Sequence, residues 1–193
     1  NNLPGTQFGL VNATGKTGSA YDWNDNGDRI TVTSTTAFDN LQQLTIAFWM
    51  NPDTAGQISA GRILKTLQGT IGESRSIELM WNVNTSTIQL SDGRWLNSGR
   101  WRLISSTPFT GKWTHIAVTY NSSSTSNDPT FYVNGTKVST TELTAPSGNF
   151  NTNYPDRLVI GNRHDIPDAE RQFDGRLDEI MLYNRTLSDA EIG

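Results

Sequence analysis

The strongest constraint on the fold is the period of the hydrophobic pattern. Apolar residues recur at alternate positions in short runs, and the spacing of about 3.6 residues that marks a helix is nearly absent. Candidate strands run over 19–23, 29–33, 44–50, 62–67, 76–82, 87–91, 101–106, 113–120, 130–133, 158–161 and 175–183. Between them stand Asn26-Gly27, Asp92-Gly93, Asn134-Gly135 and Asp174-Gly175, dipeptides that accept the positive φ of tight hairpin turns. Phe131 to Val138 reads as one such hairpin, with β-rich arms around Asn134-Gly135. Many short strands with regular turn signals describe a sandwich or a barrel. One helical turn is expected after Ser188, where Glu191 completes a capping box and Leu187 and Ile192 can pin it to the sheets. The polar stretches 121–129 and 144–156 read as long loops. Strands continue on both sides of the first, so residues 1–193 read as a single domain.

A chain of 193 residues suits one undivided all-β domain. Its hydrophobic fraction is only 34%, which fits a two-layer sandwich that buries alternate residues of each strand. The net charge is −4 and Lys and Arg do not cluster, which argues against a nucleic-acid footprint. No apolar run is long enough to insert across a membrane as a helix. With no cysteine, disulfides and thiolate zinc sites are excluded. No signal-peptide pattern is read in these residues and the first is not Met, so the chain is expected to be a mature or excised domain whose targeting segment, if any, was removed. Richness in Asn, Ser, Thr and Gly is the composition of secreted, extracellular β-domains.

Four segments carry a family resemblance. They are Ala20-Tyr21-Asp22-Trp23 leading to Asp28-Arg29-Ile30, Leu44-Thr45-Ile46-Ala47-Phe48-Trp49-Met50-Asn51-Pro52, Gly111 to Tyr120 followed by Phe131-Tyr132-Val133-Asn134-Gly135, and Phe173 to Ser188. In this order they resemble the laminin-G-like jelly-roll domains of the concanavalin A-like lectin/glucanase superfamily. The resemblance implies an all-β, two-sheet antiparallel jelly-roll sandwich. It also implies Trp49 and Trp113 as core positions. Function follows less directly, because this fold hosts lectins, glycosidases, lyases and adhesion modules.

The chemistry narrows these options. A retaining glycosidase needs two carboxylates about 5 Å apart. The superfamily's glucanases place them on one strand in the pattern Glu-x-Asp-x-x-Glu, and no such motif occurs here. Ser76-Ile77-Glu78-Leu79-Met80-Trp81 offers Glu78 alone. His115 and His164 are the only histidines, and His115 reads as a packed residue of a central strand. The resemblance implies a structural calcium held by Asp178 of the C-terminal strand and Asp22 near the N-terminus, consistent with the oxygen ligands calcium prefers. The run Asp22 to Asp28 has Asp or Asn at alternate positions, but lacks the closing acid of an EF-hand and equally suits an Asx-rich turn.

Sugar sites combine aromatic faces with planar polar groups. The stretch Asp92 to Arg102 gathers two tryptophans and three arginines around turn residues, and Trp95, Arg100 and Trp101 are its candidate ligand contacts. Trp101, at a strand start, also suits the core. Arg163, His164 and Asp165, with Tyr154 on the same rim, form the second candidate group. The expected function is a secreted carbohydrate-binding, lectin-like module whose partner is a polysaccharide or glycan, joined to other domains of a parent protein. The alternatives are a protein–protein adhesion module, and a polysaccharide lyase or glycoside hydrolase with an unrecognised site.

Overall fold

A computed structural model describes residues 4–25, 27–33, 41–54, 61–67, 76–82, 87–104, 109–151, 157–163 and 171–193. In chain order the strands are β1 (Thr6–Phe8), β2 (Val11–Thr14), β3 (Ser19–Trp23), β4 (Arg29–Thr33), β5 (Gln43–Pro52) and β6 (Gly61–Leu67). Next come β7 (Ile77–Asn82), β8 (Thr87–Asp92), β9 (Trp95–Asn97), β10 (Gly99–Ile104), β11 (Thr114–Asn121) and β12 (Thr130–Val133). β13 (Thr136–Val138), β14 (Thr140–Thr144), β15 (Ser147–Phe150), β16 (Arg157–Ile160), β17 (Gly175–Tyr183) and the helical turn α1 (Asp189–Ile192) complete the chain.

Two antiparallel sheets form the layers. The front sheet has eight strands in the order β1-β4-β16-β6-β7-β8-β10-β14, and the back sheet seven in the order β13-β12-β11-β5-β17-β3-β2. β9 and β15 pair separately as a small flap. The inner faces interdigitate as a sandwich core. Ile77, Leu79, Trp81, Ile88, Leu90, Trp101 and Leu103 of the front sheet belong to the same buried cluster as Leu44, Ile46, Phe48, Met50, Ile116, Val118, Tyr120 and Phe131 of the back sheet. The alternation read from the sequence is what produces these one-sided faces. β11 lies between β5 and β12, the central position its apolar residues on both faces predicted.

The terminal helical turn forms with the capping box between Ser188 and Glu191. Leu187 and Ile192 pack with Ala47, Ala117 and Tyr132 on the outer side of the back sheet, and the Tyr132 hydroxyl donates to Asp189 Oδ1 at 2.6 Å.

Three expectations change. The stretch 144–156 is not all loop, because Ser147–Phe150 pairs with Trp95–Asn97. The short edge strands β1, β2 and β14 carry few buried apolar residues, so the alternation that reveals a strand is missing from them. Trp49 and Trp113 lie outside the core. Trp49 is half-buried on the outer side of the back sheet, packed at a 53° tilt against His115 at 5.3 Å with Lys16 Nζ 4.5 Å from its ring centre. Trp113 is half-buried under the Arg176 guanidinium, at 5.8 Å.

Candidate functional site

Register fixes which side chains share the outer face of the front sheet. Glu78 and Met80 alternate with the core residues Ile77, Leu79 and Trp81, so they point outward. Opposed residues of an antiparallel pair lie on the same face. One row therefore crosses the sheet as Val159, Lys65, Glu78, Ser91, Arg100 and Thr144. The next row is Arg62, Met80, Gln89, Arg102 and Thr141. Their charged members are Lys65, Arg62, Arg100 and Arg102 against one carboxylate, Glu78. An acidic chain thus presents a cationic face here.

The two halves of this face differ in exposure. Toward β16 and β6 it is buried, with Val159 at 0%, Lys65 at 2% and Arg62 at 6% exposure. Toward β10 it opens, and Arg100 is exposed. Glu78 sits at the boundary. Its carboxylate contacts Arg62 Nε, and Lys65 Nζ lies 4.0 Å away. Burial, followed by the nearby Arg163, Arg62 and Arg171, pushes the Lys65 ammonium down to about 8. Burial likewise lowers Arg62, with Arg171 and Arg163 adding to the effect.

On the open half lies a groove of about 460 Å³, lined by Ser76, Glu78, Ser91, Gly93, Leu96, Asn97, Ser98, Arg100 and Thr144. Its rim is held by hydrogen bonds. Arg100 Nε and Nη2 both donate to Thr144 Oγ1, at 3.3 and 3.1 Å, and Asn97 Nδ2 donates to Ser147 Oγ at 2.8 Å. The turn beneath is anchored by a buried ion pair. Arg94 Nε and Nη2 donate to the two oxygens of Asp92 at 2.8 and 2.9 Å, while Nη1 bonds the Leu41 carbonyl.

Of the described residues singled out for ligand contact, Arg100 alone lines this groove. Trp101 is a correction: it is 0% exposed, packs on Tyr120 at 5.1 Å and donates its indole N–H to Asp128 Oδ1 at 2.7 Å. Alternation on β10 turns the tryptophan inward and its neighbours Arg100 and Arg102 outward. Trp95 is also packed, 7% exposed and edge-on to Phe150 at 5.0 Å, because the β9–β15 flap covers it. A sugar can stack on neither ring as placed. Arg163 is half-buried beside the Lys65–Arg62 cluster and not in the groove. Tyr154, His164 and Asp165 lie outside the described residues. Lys65, Arg62 and Glu78 were missed as a group. Their signal was present as charged residues inside otherwise apolar strands, but which strands are neighbours is not written in the sequence.

The two calcium candidates do not converge. Asp178 accepts backbone N–H groups from Lys16 at 2.8 Å, Thr17 at 3.2 Å and Glu179 at 2.9 Å, so its carboxylate fastens the turn before β3. Asp22 opposes Arg176, not Asp178. Its Oδ1 is buried without a hydrogen-bond donor. Burial raises its pKa, with Asp53, Asp174 and Asp28 adding to the rise and Arg176 opposing it. Among the described residues, no three His, Asp or Glu side chains gather closely enough to hold a metal.

A family model described as the concanavalin A-like lectin/glucanases superfamily matches residues 24–193. No curated protein matches the chain. Solved structures share the fold at low identity. The CBM40 domain of the Ruminococcus gnavus IT-sialidase, bound to alpha2,3 sialyllactose, superposes with a TM-score of 0.64 at 13% identity, covering 90% of this chain and 94% of that one. The NanB sialidase of Streptococcus pneumoniae gives 0.64 at 16% identity, covering 90% of this chain and 26% of that one. The binding domain of botulinum neurotoxin serotype D gives 0.63 at 15% identity, covering 95% and 45%. The chain thus spans nearly all of the CBM40 domain and less than half of the other two.

Proposed function

The chain belongs to the concanavalin A-like lectin/glucanase superfamily, and from that premise we propose that it is a carbohydrate-binding module holding a glycan in the groove on its front sheet. The observation that carries this is the groove itself: Glu78, Ser91, Asn97, Arg100 and Thr144 present fixed donors and acceptors around an open cleft on a rigid sheet. Sugar hydroxyls pair with such planar polar groups, and side chains already held by hydrogen bonds lose little entropy on binding. The likeness to a domain bound to sialyllactose supports the same reading.

The domain acts by retention and not by bond cleavage in this proposal. The two rows crossing the sheet hold only Glu78, whose charge is matched by Arg62 and Lys65. Glycosidic hydrolysis of the usual kind takes a pair of carboxylates. An extracellular location and linkage to other domains of a parent protein belong to this proposal. So does a structural calcium, now narrowed to Asp22. Asp178 is committed to its turn, while Asp22 keeps an oxygen without a donor. Backbone carbonyls or water would supply the remaining ligands.

The test is retardation in gels carrying neutral and acidic polysaccharides, with the wild type beside Ser91→Trp, which fills the groove floor. Retardation by at least one polymer, lost in S91W and without shortening of the polymer, is the expected result. Equal retardation of both proteins would place binding elsewhere. Shortening of the polymer would make the domain an enzyme.

A further inference from the structure

Resting on the proposed glycan groove, we infer that its ligand carries a carboxylate, taken by Arg100 at the groove wall and by Arg102, which stands one row beyond the groove lining on the same face of β10. The two arginines stand two residues apart on one strand, so both point to the outer face with Cα atoms about 7 Å apart. That separation lets two guanidinium groups converge on one acidic sugar residue. Neither lies within ion-pair distance of a carboxylate among the described residues, in contrast to the Arg62–Lys65–Glu78 cluster beside them. The single acid of the two rows is thus matched by β6 cations, which leaves the charge of β10 uncompensated.

Each arginine also shows a recognition geometry. Arg100 is oriented by its two bonds to Thr144, and it lines the groove. Arg102 carries a buried Nε–H with no acceptor. A buried donor without a partner is unfavourable, so a turn of the Arg102 side chain toward an anion held by Arg100 would relieve it. Arginine presents a planar array of N–H groups that matches a carboxylate in bidentate fashion, which a lysine does not. The ligand class is therefore a sugar acid of the uronic or nonulosonic type.

The experiment compares sialyllactose with lactose by calorimetry, and polygalacturonate with its methyl-esterified form and a sulfated galactan in affinity gels. The wild type is run beside Arg100→Lys, Arg102→Met and Ser91→Trp. Charge-assisted hydrogen bonds are strong enough that losing one should weaken binding by about tenfold or more. The expected result is binding of the carboxylate forms, loss on esterification, and weakening in R100K despite its retained charge. R102M should bind weakly yet melt no lower than wild type, because it removes an unsatisfied buried donor. Equal binding of lactose and sialyllactose, abolished by S91W, would overturn the carboxylate inference and leave the glycan groove standing. Tighter retention by the sulfated galactan than by polygalacturonate would also overturn it, in favour of a general anion site. Failure of every glycan to bind, with melting unchanged in all variants, would overturn the groove reading itself.

Discussion

Arg94→Met tests how the groove is built from below. Asp92 is 0% exposed and Arg94 2%, and the pair is bidentate, with bonds of 2.8 and 2.9 Å. Arg94 also reaches the Leu41 carbonyl, and Ser122 Oγ at 3.3 Å, tying the β8–β9 turn to the strands of the back sheet. Methionine keeps much of the volume but leaves the buried Asp92 carboxylate with, among the described residues, only the backbone N–H of residue 94, at 3.1 Å. Breaking a buried pair on one side typically costs about 3–5 kcal/mol. For a domain of this size each kcal/mol lowers Tm by about 2–4 °C, so a fall of roughly 6–20 °C is expected. Asp92→Asn in the wild-type background should also destabilise, by stranding the buried guanidinium. In the R94M background the sign should reverse, because neutralising Asp92 then removes an unpaired charge. Urea and thermal unfolding of the four proteins close the cycle. Equal effects of D92N in the two backgrounds, within about 0.5 kcal/mol, would refute the coupling and with it the idea that this pair anchors the turn.

Lys65, with its pKa lowered to about 8 by burial first and neighbouring arginines second, sheds its proton in the folded state before the unfolded chain does. Unfolding then takes up a proton, so its contribution to stability should rise with pH between about 8 and the ordinary lysine value near 10.5. Lys65→Met should flatten that rise in melts taken across this range, and an unchanged slope would remove Lys65 as its source. Gly161 has φ +79°, and a Cβ there would collide with the Trp23 indole. Gly161→Ala should therefore lose about 2–5 kcal/mol in urea unfolding, combining backbone strain with overpacking, and a loss under about 1 kcal/mol would refute the close packing. If calcium binds at Asp22, a hundredfold excess over its Kd adds about 2.7 kcal/mol. That corresponds to a Tm rise of roughly 5–10 °C, absent in Asp22→Asn. Identical melts in calcium and chelator would refute the site.

The sequence alone determined the layered architecture. Alternate apolar residues in β7 and β8 leave one face of each strand to be buried, apolar residues on both faces mark β11 as central, and two sheets packed face to face bury them together. Asn134-Gly135 dictated its hairpin because Asn134 and Gly135 both take positive φ, at 48° and 77°. Ser188 and Glu191 dictated the last helical turn by closing on each other's backbone. These features rest on neighbours within a few residues, and so they are written locally. The groove is not. Glu78, Ser91, Arg100 and Thr144 line up only because β7, β8, β10 and β14 pair in one register, and pairing order is a long-range property. The pattern gave Trp95 and Trp101 as aromatic neighbours of arginines, but alternation and the β9–β15 pairing turned the rings away, left Arg100 and Arg102 on the outer face and buried Arg94 against Asp92. The family resemblance pairs Asp22 with Asp178, yet the register sets Asp22 opposite Arg176 and gives Asp178 to a backbone turn. Residue type proposed the chemistry, and strand pairing decided which of those residues meet.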